Sequence, residues 1–146
     1  MTIRTMNISD YDRVFELWTR TPGMGLNNID DSRVGIDRYL RRNPETCFVA
    51  EEAGEIVGAI LAGHDGRRGY IHHTAVAVSS RRKGVGTALV ENAMEALKNE
   101  GIIKTALVVF AHNEIGNEFW ENRQFLKRID LIYRNKSMAV IGRIDT

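Results

Sequence analysis

A chain of 146 residues suits one compact domain spanning residues 1–146, because it can bury a sizeable core and is shorter than chains that usually divide. The formal net charge is +1, so the molecule lacks the strong overall field that recruits nucleic acid or an anionic membrane, and we expect neither partner. No apolar segment approaches the ~20 residues of a membrane span, which predicts a cytoplasmic protein.

The first part of the chain predicts one strand and two helices. Residues 2–6 alternate between apolar and polar side chains, as in a short strand, and Ser9 then heads an amphipathic helical pattern. Residues 21–28, TPGMGLNN, interrupt that pattern and predict a loop. Ser32 is placed to cap a second helix.

A meander of three strands follows. The strand candidates, joined by short turns at Ala53-Gly54 and at 65–69, are residues 45–52, 55–64 and 70–78. The first of them carries Cys47, the only cysteine in the chain. A single thiol forms neither an internal disulfide nor a cysteine-rich metal site, so we expect a small buried side chain and no metal ion.

The remaining elements alternate between helix and strand. They are a helix from Gly84 to Glu100, an apolar strand at 105–111, a short helix from Asn113 through Glu121, and an antiparallel pair of strands at 125–134 and 136–144 around Asn135-Lys136. The sum predicts a mixed α+β domain.

The segment from Val78 to Ala93 reads VSSRRKGVGTALVENA and places three cations immediately before a helix. Cations at the positive end of a helix dipole are disfavoured by a few tenths to ~1 kcal/mol, so the pattern predicts a bound anion. Backbone N–H groups at a helix start hold anions, and glycine lets a phosphate approach. The G-x-x-x-x-G-K-[ST] loop is absent, and Leu89 stands where the dinucleotide fingerprint needs its third glycine.

The six residues from Arg81 to Gly86, RRKGVG, resemble the [QR]-x-x-G-x-[GA] signature with which the Gcn5-related N-acetyltransferase (GNAT) superfamily binds the pyrophosphate of acetyl-coenzyme A (acetyl-CoA). Residues 113–125, NEIGNEFWENRQF, resemble that family's segment after its fifth strand. The resemblance implies a central, mostly antiparallel sheet of about 6–7 strands flanked by about 4 helices. Residues 46–146 would then form the acetyl-CoA-binding core, and residues 1–45 the variable, substrate-facing part.

The resemblance also implies contacts with acetyl-CoA, the cosubstrate. The strand backbone at Thr74, Ala75 and Val76 would run beside the pantetheine arm. The residues expected to hold the pyrophosphate are Arg81, Arg82, Lys83, Gly84, Val85, Gly86 and Thr87. Asn113 matches a position whose side-chain amide commonly contacts the cofactor, and a plain helix N-cap explains it equally well.

Acetyl transfer to an amine requires a neutral nucleophile, stabilisation of an oxyanion and a proton for the leaving thiolate. The resemblance gives the oxyanion contact to the backbone N–H of Val76. Many family members protonate the thiolate with a tyrosine, but the matching residue is Trp120, whose indole N–H does not release its proton near neutral pH. We therefore expect Trp120 to form a wall beside the thioester.

Residues 70–74, YIHHT, supply the candidate base. Strand alternation predicts Tyr70, His72 and Thr74 on one face of the sheet and His73 on the other. The segment resembles serotonin N-acetyltransferase, in which histidines at the positions of Tyr70 and His72 relay the amine proton. We expect His72 to act as the base and His73 to pack in the core, and a core histidine is the alternative for either.

The acceptor pocket is expected on the substrate-facing side. The residues predicted to line it are Trp18, Met24, Tyr70 and Tyr133. The Asp30-Asp31 pair could attract a cationic amine or could simply lead into the helix.

The sequence thus predicts an N-acetyltransferase that transfers an acetyl group from acetyl-CoA directly to a primary amine, on a small molecule or a peptide, in a ternary complex. A protein N-terminal or lysine acetyltransferase is the alternative, and the missing tyrosine keeps a non-catalytic acyl-CoA-binding regulatory module open. Nucleic-acid binding has the least support, because no aromatic-rich basic strand accompanies the cations. Family members often pair, so a homodimer stays open.

Overall fold

The computed structural model describes residues 1–146 and contains seven strands and four helices. The strands are β1 (Thr2–Thr5), β2 (Leu26–Asn27), β3 (Phe48–Glu52), β4 (Glu55–His64), β5 (Gly69–Val76), β6 (Thr105–Ala106) and β7 (Arg143–Ile144). The helices are α1 (Tyr11–Thr19), α2 (Arg33–Arg42), α3 (Val85–Asn99) and α4 (Glu114–Glu121). None of the helices combines the length and the apolar character that crossing a membrane requires.

Five strands form one central sheet in the order β1-β3-β4-β5-β6. Neighbouring strands run antiparallel except β5 and β6, which are parallel. The other two strands, β2 and β7, pair with each other as a separate antiparallel ribbon. The mixed fold class, the mostly antiparallel pairing and the four helices are confirmed, but the seven strands are divided between two sheets.

The central sheet separates two hydrophobic cores. On one face α1 and α2 pack over the sheet, with Trp18 at the centre, and on the other face α3 packs through Leu89, with Trp120 of α4 beside it. Cys47 is buried in the first core, where its thiol donates to the carbonyl oxygen of Ala62. Burial raises the pKa of Cys47 to about 12, so this residue is the inert, buried thiol that the sequence predicts.

Two short turns connect β3, β4 and β5. Ala53 and Gly54 both have positive φ angles, 51° and 82°, which is the geometry of a type I′ hairpin turn. In the loop after β4, Oδ1 of Asp65 accepts the backbone N–H groups of Arg67 and Arg68 at 2.8 Å. Both turns lie where the sequence predicts them.

The helix starts follow from side-chain caps. The hydroxyl of Ser32 accepts an N–H of the first turn of α2 at 3.1 Å, and Oδ1 of Asn113 does the same for α4 at 2.9 Å. At the first helix the capping residue is not the predicted one. Asn7, rather than Ser9, caps the 3-10 turn that leads into α1, and the Asp10 carboxylate completes a capping box.

The pairing of β4 with β5 contains a bulge in which His72 and His73 together lie opposite Leu61. The extra residue breaks the alternation of side chains, so both histidines face α2, while Thr74 lies opposite Ile60 on the α3 face. The prediction that His72 shares a face with Thr74 and that His73 lies opposite was wrong, because simple alternation assumes a strand without a bulge.

The predicted strands near the C-terminal end are short or missing. Within residues 105–111 only Thr105–Ala106 pairs with β5. Residues 125–142 contain no strand, so the predicted hairpin around Asn135-Lys136 was wrong, and only β7 pairs, with β2. Most apolar side chains in this segment are exposed, and a two-stranded hairpin without a packed face gains too little burial to be stable.

Gly35, in the first turn of α2, lets the preceding loop lie against the helix. A Cβ atom at this position would lie 2.4 Å from the carbonyl oxygen of Ile29 and 2.3 Å from that of Asp30. Alanine normally stabilises a helix over glycine by up to ~1 kcal/mol. We expect Gly35→Ala instead to lower the free energy of unfolding in urea by about 1–3 kcal/mol, because the backbone must move.

The matched control for this measurement is Val34→Ala, at the neighbouring exposed position of the same turn. Its free energy of unfolding should stay near that of the wild type. A Gly35→Ala protein as stable as the wild type, or more stable, would contradict the close approach of the loop.

Candidate active site

One backbone edge of β5 is open. β5 and β6 pair over only two residues and then diverge. The N–H of Ala77 donates to the carbonyl oxygen of Val57 in β4 at 2.8 Å, so by alternation the N–H groups of Thr74 and Val76 point the other way, into the opening. The hydroxyl of Thr74 is buried without a hydrogen-bond partner. The edge can therefore pair with an extended polar ligand.

The glycine turn lies next to this open edge. Arg82 and Gly84 have positive φ angles of 61° and 82°, and Gly84 is the N-cap residue of α3. No side chain caps α3, so the N–H groups of its first turn are available to a ligand. Arg81 Nε donates to the carbonyl oxygen of Val76 at 3.3 Å and joins the turn to the strand. These N–H groups and cations favour an anion.

A further cation, Arg123, reaches the same turn from the end of α4. It donates to the hydroxyl of Thr87 and, at 2.9 Å, to the carbonyl oxygen of Phe119. Its guanidinium carbon lies 3.7 Å from the Phe119 ring centroid, and its Nε is buried without a partner. The Phe119 ring lies 2.9 Å from where a Cβ of Gly86 would be, so Gly86 also serves this packing. Arg123 was not predicted from the sequence, where its only signal is its place within residues 113–125.

The two remaining residues predicted on this side are the N-cap of α4 and a residue within that helix. Asn113 is the N-cap of the helix, and it also lines a cavity of about 500 Å³ at the helix start. Trp120 is 8% exposed and packs edge-on against Phe119 and Phe125, with ring centroids 5.0 and 5.1 Å apart. Trp120 is therefore part of the core beneath α3.

A second cavity, of about 600 Å³, lies on the opposite face of the sheet, and we call it the α2 cavity. Its lining residues are Gly25, Asn27, Asp30, Asp31, Gly35, Ile36, Arg38, Tyr39, Arg42, Leu61, His72 and His73. The bulge in β5 is what turns both histidines toward this space.

His72 is accessible in the α2 cavity. Its ring lies edge-on to Tyr39, with centroids 5.5 Å apart, and 4.6 Å from Tyr70. Burial and then the neighbouring His73 lower the pKa of His72 below its ordinary value, while Asp31 and Asp30 oppose this shift. A lowered pKa leaves the imidazole neutral at neutral pH, so His72 can accept a proton.

His73 is held by a buried carboxylate. Its Nε2 lies 2.6 Å from Oδ1 of Asp31, and since an ionised carboxylate only accepts, Nε2–H is the donor. Oδ2 of Asp31 accepts the backbone N–H of Asn27 at 2.7 Å. Trp18 packs edge-on to the His73 ring, with centroids 4.9 Å apart. These contacts fix the position of the His73 ring and keep a proton on its Nε2.

The residues predicted to line the acceptor pocket fall in different places. Trp18 is fully buried behind His73 and does not border the cavity. Met24 is half-buried against the core of α1 and α2. Tyr133 is 64% exposed. Burial raises the pKa of Tyr70, and Tyr133 adds a smaller electrostatic contribution in the same direction.

Comparison with known families matches residues 11–125 to the acetyltransferase (GNAT) family. The chain belongs to the GNAT acetyltransferase family. It is 32% identical over 125 residues to an acetyltransferase of Sodalis glossinidius (strain morsitans), covering 86% of this chain and 87% of that protein. The GNAT assignment makes this chain an acetyl-CoA-dependent N-acetyltransferase.

Solved structures share the fold of this GNAT enzyme. Ard1 from Thermoplasma volcanium superposes with a TM-score of 0.76 at 24% identity, covering 86% of this chain and 82% of that one. The aminoglycoside N-acetyltransferase AAC(6')-Iy in complex with CoA gives a TM-score of 0.72 at 18% identity, covering 93% and 99%. At these identities the likeness concerns the fold.

The contact between Asp31 and His73 predicts the tautomer of the imidazole. In Asp31→Asn the side-chain carbonyl oxygen still accepts the backbone N–H of Asn27. The new side-chain NH₂ group therefore faces His73 Nε2. That nitrogen must then accept, and the ring proton moves to Nδ1. Long-range ¹⁵N–¹H correlation spectra should report the switch, with a loss of about 1–3 kcal/mol in the free energy of unfolding.

Asp30→Asn is the matched control, because the Asp30 carboxylate accepts from the Asn27 side chain at 3.0 Å and does not contact His73. It should leave the His73 tautomer unchanged. An Nε2–H tautomer retained in Asp31→Asn at wild-type stability would contradict the pairing.

Proposed function

We propose that this GNAT enzyme transfers the acetyl group of acetyl-CoA directly to a primary amine bound in the α2 cavity, within a ternary complex. The observation that carries the proposal is the two-sided arrangement around β5. Its open edge and the glycine turn lie toward α3, and the α2 cavity lies on the other face, with residues 72–76 between them. A donor and an acceptor can therefore meet at one strand without a covalent enzyme intermediate.

The residues proposed to hold acetyl-CoA fit the group chemically. The outward N–H groups of Thr74 and Val76 suit the amides of a pantetheine arm, and the buried hydroxyl of Thr74 gains a partner. The first-turn N–H groups of α3, with Arg82 and Lys83, suit a pyrophosphate. Arg123 adds a cation beside Thr87. Bound acetyl-CoA supplies an acetyl group activated as a thioester.

His72 is the proposed base. An alkyl ammonium has a pKa near ~10, so the acceptor must lose a proton before its nitrogen attacks. His72 faces the cavity with a lowered pKa and can accept that proton, directly or through a water. The N–H of Val76 would meet the oxyanion, and Trp120 would contribute an apolar wall rather than a proton.

The cofactor assignment is tested with the double variant Arg82→Gly/Lys83→Ala. Glycine retains the positive φ of residue 82, so the turn keeps its shape while two cations are removed. We expect KM for acetyl-CoA to rise roughly 10-fold or more, as expected for lost charged contacts. Acetyl-CoA at 100 times its Kd should stabilise the wild type by ~2.7 kcal/mol and the variant by less at the same concentration.

The control is Arg67→Ala/Arg68→Ala, which removes the same charge from the exposed loop before β5. It should leave KM and the melting shift unchanged. Equal effects in both double variants would overturn the assignment of the turn. A melting shift without thiol release, on any amine tested, would favour a non-catalytic acyl-CoA-binding module over an enzyme.

The base assignment is tested by the pH profile of kcat/KM. A base must be unprotonated, so the rate should fall as pH drops through the pKa of His72, which lies below the ordinary value of about 6.5. We expect His72→Gln to lose about 10²-fold in kcat/KM and to lose this acidic limb. His112→Gln, outside the α2 cavity, should keep both. An acidic limb that persists in His72→Gln would place the base elsewhere.

A further inference from the structure

Two of the four arginines of α2 lack a carboxylate partner, whereas the other two each form an ion pair. Arg41 pairs with Asp37 at 2.8 Å, and Arg33 pairs with Asp12 of α1 at 3.0 Å. Arg38 and Arg42 form no such pair, and both line the α2 cavity. They are four residues apart, so they project from the same face of the helix and place two guanidinium groups along one wall.

Near the start of α2, about two turns before Arg38 and three before Arg42, the cavity carries negative charge and the proposed base. Asp30 and Asp31 line it next to His72 and His73. The Asp31 carboxylate is already engaged by His73 and by the Asn27 N–H, so its position is fixed before any ligand binds. An ammonium group attracted to this end would lie beside the histidine proposed to deprotonate it.

The two arginines cannot be explained by the phosphates of acetyl-CoA. The uncapped start of α3 and Arg123 lie on the α3 side of the central sheet, whereas α2 packs on the opposite face. The α2 cavity is therefore a separate site with its own charge pattern. Its formal charges balance, two cations against two anions, and they are displaced along α2, because Asp30 and Asp31 precede the helix and Arg38 and Arg42 lie in its second and third turns.

From this separation we propose that the acceptor amine is a small zwitterion, whose anionic group binds Arg38 and Arg42 while its amine lies toward Asp31 and His72. This inference rests on the proposed function and names its substrate class. An arginine fork recognises a carboxylate or a phosphate, so either group satisfies the site. A polycationic amine would bring positive charge against two guanidinium groups that have no counter-ion.

The test compares four short amines that differ at the end remote from the nucleophile. They are β-alanine, O-phosphoethanolamine, propylamine and 1,3-diaminopropane. We expect kcat/KM, followed by thiol release from acetyl-CoA, to be roughly 10- to 100-fold higher for the anionic amines than for propylamine, with the diamine lowest. The ratio between the first two amines distinguishes carboxylate from phosphate recognition.

The double variant Arg38→Gln/Arg42→Gln tests whether these two arginines cause the preference for anionic amines. The double variant should lose the preference for anionic amines, so that its kcat/KM for β-alanine and O-phosphoethanolamine falls to the value that the same variant shows with propylamine. Arg41→Gln on the same helix is the matched control and should retain the preference, because Arg41 does not line the cavity. The melting shift with acetyl-CoA alone should be the same in all these proteins.

The outcomes separate the two proposals. If acetyl-CoA produces neither a melting shift nor turnover, the proposed function fails and the substrate class fails with it. If propylamine or the diamine is acetylated at least as fast as the anionic amines, the proposed enzyme activity stands and the zwitterionic substrate is overturned. If none of the four amines is acetylated, the increase in melting temperature that each one causes in saturating CoA ranks their binding. The proposed zwitterionic substrate is then overturned if the two anionic amines give no larger increase than the other two.

Discussion

The bulge in β5 is the constraint on which the arrangement of this enzyme depends. Side chains alternate strictly along a regular strand, so one of two adjacent histidines would enter the apolar core under α3. There it would lie among residues such as Ile71 and Leu89, which offer no polar partner. With two residues opposite Leu61, both imidazoles face α2, and the register beyond them still directs the N–H groups of Thr74 and Val76 outward.

The bulge turns His73 toward α2, and the loop before α2 places the Asp31 carboxylate within hydrogen-bond distance of that ring. Asn27 organises that loop: its side-chain oxygen accepts the N–H groups of Ile29 and Asp30 at 3.0 and 2.7 Å. Its own N–H donates to Asp31. Gly35 then allows the loop to press against α2. Burying the Asp31 carboxylate is tolerable because both its oxygens are satisfied, one of them by His73.

Local chemistry explains which features of the sequence were predictable. The Ala53-Gly54 turn and the Ser32 and Asn113 caps depend on residues a few positions apart, and their sequences indicate them directly. The uncapped glycine turn at Gly84 was predictable for the same reason. The bulge was not, because nothing in the pair His72-His73 marks a bulge, which arises from pairing with a distant strand.

Three other features depend on tertiary contacts as well. Residues 125–142 carry the alternation of a hairpin, but alternation does not reveal whether a surface exists to cover the apolar side. Arg123 was missed because its contact with Thr87 joins the end of α4 to the start of α3, which are 36 residues apart in the chain. The expectation for Trp120 used the chemistry of indole alone, and the aromatic rings around it supply the packing reason for its burial.

The near-neutral charge of the chain conceals two local fields of different character. Screening reduces interactions between exposed charges beyond about 8–10 Å at physiological salt, so the sum over the whole molecule has little influence at either site. Around the start of α3, Arg82, Lys83 and Arg123 add to the helix dipole and favour an anion. Across the sheet, two arginines and two carboxylates line the α2 cavity, so no single sign of charge prevails there. In the function that we propose, a tetra-anionic cofactor is attracted to one face only, and the α2 cavity selects its ligand by how charge is distributed on it rather than by its total charge.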